Sequence, residues 1–186
     1  MLVKMQVIEM MDLKKFLNKN KDKNIVVVQG LGFVGAVMSL VISNSSKKDY
    51  AVIGVDLKEN DGVINSINNG IFPIKSSDRQ VEEFYQNSIK KGNFLATNDV
   101  NAYSHASTII VDINLDVQKK SDNKGNLNSF DVNLNPFKNA IRTIGKYCKE
   151  DVLIVVETTV PPGTCEMVVK PIIEKELCKR KLSIDK

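Results

Sequence analysis

A run of β-branched residues, Ile25 to Val28, leads through Gln29 into Gly30-Leu-Gly-Phe-Val-Gly35, a G-x-G-x-x-G spacing. An apolar run without polar alternation is the composition of a strand buried on both faces of a parallel sheet. The spacing gives each glycine its own task. Gly30 turns the chain tightly, Gly32 lets the backbone approach a pyrophosphate, and Gly35 lets a helix pack closely on the strand. N–H groups at the helix start, aided by the helix dipole, favour an anion there. That helix is expected from Phe33 to about Ser43, with Val34, Val37, Met38, Val41 and Ile42 facing the sheet. A second strand, Ala51 to Val55, ends in Asp56, 21 residues after Gly35. A carboxylate at that distance accepts hydrogen bonds from the adenosine ribose hydroxyls. Strand, glycines, helix, strand and acid in this order describe a dinucleotide-binding βαβ unit. The alternative is a glycine-rich turn in some other α/β domain.

The rest of the chain continues the alternation. Helical segments are expected over about Val63 to Asn69, closed by Gly70, and over Val81 to Ile89, stopping at Lys90-Lys91-Gly92. Pro73 keeps 71–74 extended. Phe94 to Thr97 and Thr108 to Ile113 read as strands, joined by a brief helix that Asn98 or Asp99 can cap and that ends near His105. Residues 114–133 are rich in Asn, Asp, Lys and Ser and read as a long polar loop. Asn135 is a candidate cap, with Pro136 at the first position of a helix striped by Phe137, Ile141, Ile144 and Cys148. Val152 to Val156 is an apolar strand. Beyond it, Cys165 to Cys178 forms a helix with Val168, Val169, Ile172, Ile173 and Leu177 on one face, kinked or restarted at Pro171. The fold expected is α/β: a Rossmann-like doubly wound parallel sheet with helices on both faces, over 24–186. A short helix, Met10 to Leu17, precedes it, and 1–23 is read as an appendage outside the sheet.

Composition narrows the function classes. At 186 residues the chain suits one domain, and no apolar run is long enough to cross a bilayer. The apolar start carries Lys4 and Glu9 and lacks a small-residue cleavage site, unlike a signal peptide. Cys148, Cys165 and Cys178 have neither metal-ligand spacing nor a disulfide pattern, which suits a reducing cytoplasm. The net charge of +4 sits at the ends. Residues 1–23 hold six lysines against Glu9, Asp12 and Asp22, residues 170–186 are equally basic, and the body between is net acidic. With only Arg79, Arg142 and Arg180 in the chain, a nucleic-acid face is not expected. His105, the single histidine, reads as structural or solvated rather than catalytic. Gln29, polar at the strand end, suits either packing or a cofactor-side role.

Several motifs together resemble the N-terminal NAD-binding domain of the UDP-glucose/GDP-mannose dehydrogenase family. They are Gly30-Leu-Gly-Phe-Val-Gly35, Val55-Asp56, Asn69-Gly-Ile-Phe-Pro-Ile74, Gly92-Asn-Phe-Leu-Ala-Thr-Asn-Asp99 and Glu157-Thr-Thr-Val-Pro-Pro-Gly-Thr164. The resemblance runs from about Asn24 to Leu177 and points most towards bacterial enzymes that make uronic acids from UDP-N-acetylhexosamines for surface polysaccharides. It implies two successive hydride transfers from a sugar C6 alcohol to NAD, through a thiohemiacetal and a thioester on a cysteine. It also implies that Gly30, Gly32, Phe33, Val34 and Gly35 cradle the pyrophosphate and that Asp56 holds the adenosine ribose. Thr159 matches a family threonine beside the nicotinamide and the reacting sugar; the alternative is a strand-end hydroxyl capping the next helix.

Two departures stand out. Where the family carries Thr-Pro after the fourth strand, this chain has Val111-Asp-Ile-Asn-Leu115. The family's Gly-x-Cys-Phe-Pro-Lys-Asp nucleophile motif and its central dimerisation helix do not occur in these residues. A truncated chain, inactive alone and dimeric only with that central domain, is therefore expected. A non-catalytic dinucleotide-binding module, or a subunit completed by a partner chain, is the alternative class. A 6-phosphogluconate-type dehydrogenase half is disfavoured by 159–164.

Overall fold

The computed structural model describes residues 12–115 and 117–182. Five parallel strands form its sheet: β1 (Asn24–Gln29), β2 (Tyr50–Val55), β3 (Phe94–Thr97), β4 (Thr108–Val111) and β7 (Leu153–Val156). Their order is β3-β2-β1-β4-β7, so the direction of winding reverses between β1 and β4. Open α/β sheets bind ligands at such a reversal, outside the carboxyl ends of the strands. The doubly wound architecture expected from the sequence is the one observed.

Among the described residues six α-helices cover the sheet: α1 (Leu13–Lys19), α2 (Phe33–Ser43), α3 (Asp61–Asn68), α4 (Arg79–Lys91), α5 (Asn135–Tyr147) and α6 (Lys170–Lys179). One face is built on Val27, Ile53, Ile109 and Val111 with Phe137, Ile141 and Ile144 of α5. The other joins Val28 and Val52 to Leu40, Ile64, Ile67 and Tyr85. The α5 stripe is buried as expected, Ile172, Ile173 and Leu177 of α6 are partly buried against the same core, and a single π turn, Cys165–Val169, precedes the restart that Pro171 demands.

Met10 and Met11 of the expected first helix lie outside the described residues. Asp12 caps α1, accepting the Lys15 N–H at 2.7 Å. Although α1 adds no strand, Phe16 is fully buried in the main core. Asn20 closes it, its Nδ2 donating to the carbonyls of Phe16 and Gly92 at 3.0 Å.

Three expectations are corrected. Residues 114–133 are not a plain loop: they contain a hairpin, β5 (Val117–Ser121) paired antiparallel with β6 (Leu127–Val132). Its turn is held by Asp122, which accepts the N–H groups of Lys124 and Asn126 at 2.8 Å, with Gly125 at φ +83. The strand β5 is exposed throughout, so no buried face imposes hydrophobic alternation on its sequence.

The second correction concerns α2, which turns a different face to the sheet. Gly35, Ala36, Ser39, Leu40 and Ser43 are buried, whereas Val34 and Val41 are 48% and 50% exposed. The small residues let the helix approach, and a Cβ at Gly35 would lie 2.1 Å from the Gly30 carbonyl oxygen. Close backbone contact therefore sets the helix rotation, against the pull of the larger apolar side chains.

The third is the cap of α5. Leu134, not Asn135, is the N-cap residue and makes no side-chain cap bond; the Asn133 Oδ1 accepts the Asn135 N–H at 3.0 Å just before it.

Candidate functional site

A cleft of about 1340 Å³ opens at the carboxyl ends of the strands, over the β1/β4 reversal. One wall is the glycine turn, Gly30 to Val34; Asp56 and Leu57 stand after β2, and Glu157, Thr158 and Thr159 after β7. A smaller cavity of about 710 Å³ adjoins it between the hairpin and the start of α5.

The turn is built by backbone approach. Gly30 has φ +98, and a Cβ there would meet the Asp112 carbonyl oxygen at 2.0 Å, so no other residue fits. Leu31 points inward, 4% exposed, and Gly54 in β2 leaves room for it: a Cβ at Gly54 would meet Leu31 Cδ2 at 2.4 Å. Gly32 has ordinary backbone angles, φ −65 and ψ −169, and nothing stands within 4 Å of where its Cβ would be. Above it is open cleft. The first i→i−4 bond of α2 runs from the Ala36 N–H to the Gly32 carbonyl at 3.0 Å, which leaves the earlier N–H groups of Phe33 and Val34 at the cleft wall.

Asp56 does more than end a strand. Its Oδ2 accepts the Leu31 N–H at 2.9 Å, and its Oδ1 accepts the Leu57 N–H at 2.7 Å and Asn60 Nδ2 at 2.9 Å. The carboxylate thus ties the end of β2 to the glycine turn.

On the cleft floor Tyr103 donates to Gln29 Oε1, both side chains being buried. Burial and the nearby Asp56 charge push the Tyr103 phenol well above its usual range, so it stays neutral. On the far side, Thr158 Oγ1 accepts the Ile113 N–H at 2.8 Å and donates to the Val111 carbonyl at 3.2 Å. That clamp joins the ends of β4 and β7 and leaves the next residue, Thr159, exposed at the cleft.

Of the residues singled out from sequence, Gly30, Gly32, Phe33, Val34, Asp56 and Thr159 line one cleft. Gly35 lies behind it, against the Asp112 carboxylate, whose Oδ2 would stand 2.9 Å from a Cβ there. His105 is exposed at the end of the short 3-10 turn, outside the lining. None of the three cysteines lines the cleft: Cys148 is buried under α5, and Cys165 and Cys178 are exposed. Sequence reasoning missed Asp112, Thr158, Tyr103 and Gly54. Only Gly54 carried a signal, a glycine inside a β-branched strand, which marks a close approach.

The residues present suit a dinucleotide. There is a glycine cradle a side chain would fill, free first-turn N–H groups, and an acid at the end of β2.

Comparison with known proteins agrees. The model of the UDP-glucose/GDP-mannose dehydrogenase family, NAD binding domain, matches residues 23–185. Protein CapL of Staphylococcus aureus is 30% identical over 154 residues, covering 83% of this chain and 31% of its own length. GDP-mannose 6-dehydrogenase of Pseudomonas syringae pv. syringae is 32% identical over 152 residues, 80% of this chain and 31% of the relative. Among solved structures, NDP-N-acetyl-D-galactosaminuronic acid dehydrogenase of Methanosarcina mazei Go1 superposes with TM-score 0.69 at 27% identity, covering 90% of this chain and 34% of that one. The chain spans about a third of the length of the curated relatives it matches.

Proposed function

The chain belongs to the UDP-glucose/GDP-mannose dehydrogenase family as its NAD-binding domain, and from that premise we propose that it serves as the cofactor half of a nucleotide-sugar 6-dehydrogenase. The reaction is oxidation of a UDP-sugar C6 alcohol to the uronate, for surface polysaccharide synthesis in the cytoplasm. Relatives named as UDP-N-acetyl-D-mannosamine dehydrogenase and GDP-mannose 6-dehydrogenase support a nucleotide-sugar substrate, the former a UDP-sugar. Among the described residues no helix is long and apolar enough to cross a membrane.

One observation carries the reading: a single cleft joins the glycine cradle, the acid after β2 and Thr159 after β7. Bound NAD supplies the hydride acceptor. The N–H groups of Phe33 and Val34 hold the pyrophosphate, and open space over Gly32 admits it. Asp56 receives ribose hydroxyls with the lone pairs its three internal bonds leave. The Thr159 hydroxyl orients a reacting oxygen, positioned by the Thr158 clamp beside it. Most contacts to the sugar, and the nucleophilic thiol, come from residues outside this chain, and the dimer forms through them.

The test is calorimetric titration with NAD and NADP, then a panel of UDP-hexoses and UDP-N-acetylhexosamines followed for NADH and uronate. NAD binds and NADP binds more weakly, because Asp56 repels a 2′-phosphate. The chain alone forms no uronate. NADP binding as tight as NAD refutes the role of Asp56. Turnover lost on Cys148→Ser, Cys165→Ser or Cys178→Ser places the nucleophile in this chain and refutes the division of labour.

A further inference from the structure

Asp56, Asp112 and Glu157 line the cofactor cleft, and no lysine, arginine or histidine joins them among its described lining residues. A dinucleotide brings a doubly charged pyrophosphate into that setting. Asp56 is already engaged by three N–H donors. Glu157 is exposed and keeps its hydration. Asp112 is placed differently: its carboxylate lies against Gly35 in the first turn of α2, Oδ2 standing 2.9 Å from where a Gly35 Cβ would be, and its carbonyl abuts Gly30. The residue is wedged between the two ends of the glycine turn.

Two anions then share one helix terminus, since the pyrophosphate draws on the neighbouring N–H groups of the same turn. Like charges at hydrogen-bond range do not both persist in a partly desolvated site. A pyrophosphate diester is far the stronger acid, so the proton goes to the carboxylate.

We propose that Asp112 is a residue of the dinucleotide site that takes up one proton as the pyrophosphate binds. One of its oxygens stays against Gly35, and the other donates its new O–H to a phosphate oxygen. The proton comes from solvent, and no other bond forms or breaks. This rests on the reading of the cleft as an NAD site.

The surroundings support it. Burial pushes the Asp112 carboxyl above the usual aspartate range, the Gly35 N–H opposes this, and the Glu157 charge adds to it. Tyr103 is neutral and committed to Gln29. The α5 side chains at the cleft, Asn135, Asn139 and Thr143, carry no charge.

Proton uptake makes affinity fall with rising pH, by up to about tenfold per pH unit between the free and bound values of Asp112. Asp112→Asn copies the protonated form, since Oδ1 takes the place against Gly35 and Nδ2 donates to phosphate. The experiment is titration of the full chain with NAD from about pH 6 to about pH 8.5, in buffers of different ionisation heat that count protons bound. Wild type takes up a proton with NAD between the free and bound values of Asp112 and weakens with rising pH. Asp112→Asn takes up none, shows flat affinity, and at the upper end binds more tightly than wild type. Absence of NAD binding at every pH overturns the cofactor reading itself. NAD binding without proton uptake by wild type overturns only the role of Asp112, whether or not the variant folds. Uptake retained in Asp112→Asn but lost in Glu157→Gln also overturns it, moving the proton to Glu157.

Discussion

Replacing Gly35 by alanine sets two known effects against each other. Gly35 is the third residue of α2. Helix propensity alone makes Gly→Ala stabilising, by about 1 kcal/mol in a helix interior. The structure says the opposite. The new Cβ would lie 2.1 Å from the Gly30 carbonyl oxygen and 2.9 Å from Asp112 Oδ2. The nearer atom is backbone, held in a turn that Asp56 and Val55 pin through the N–H groups of Leu31 and Gly30. No rotamer change relieves the clash, so the start of α2 must back away from β1. Overpacking of this kind costs typically about 1–3 kcal/mol, occasionally more. With propensity subtracted from a clash at the severe end, a net loss of roughly 2 kcal/mol is expected, a fall in Tm of about 4–8 °C for a domain of this size. Urea and thermal unfolding followed by circular dichroism measure it. Dinucleotide affinity should fall too, because the N–H groups of Phe33 and Val34 move with the helix. Gly32→Ala is the internal control: its Cβ meets nothing within 4 Å, and stability should stay within about 1 kcal/mol of wild type. If Gly35→Ala is as stable as wild type or more so, propensity has won, and close contact is not what orients α2.

Gly32→Val should leave a folded chain that no longer binds NAD, since its side chain fills the open space above the turn; unchanged affinity by calorimetry would put the phosphates elsewhere. Among the thiols, Cys148 should alkylate far more slowly than Cys165 and Cys178, because burial pushes its thiol up and encloses it, with Arg180 only partly opposing. Peptide mass mapping after brief iodoacetamide treatment reads this, and equal labelling of all three contradicts it. Asp112 also carries a stability signature. Its carboxyl is raised in the folded state, so its contribution is fully present below the ordinary aspartate value and is lost as pH rises through the folded value. Asp112→Asn should flatten that part of the stability–pH curve, and an unchanged curve counts against a raised carboxyl.

Much of this protein was legible in one dimension. The β-branched run before Gly30, the glycine spacing and Asp56 describe contacts that are local or belong to one βαβ unit, where spacing along the chain is nearly distance in space. The stripe of α5 was readable for a related reason: one apolar face against a polar one makes periodicity unambiguous. What lay outside the sequence was every feature set by approach from a distant segment. On α2, helical periodicity of the larger apolar residues pointed to one face; contact of Gly35 with the Gly30 carbonyl chose another. Exposed β5 owes its existence to pairing with β6, which leaves no hydrophobic alternation to read. Thr158 clamps β4 to β7 across 45 residues, and Asp112 reaches the first turn of α2 across 77. Their identities alone say nothing of these partners. Sequence fixes what a residue can donate, accept or fill, but only the closed sheet decides which group it meets, because adjacency between strands is created by folding.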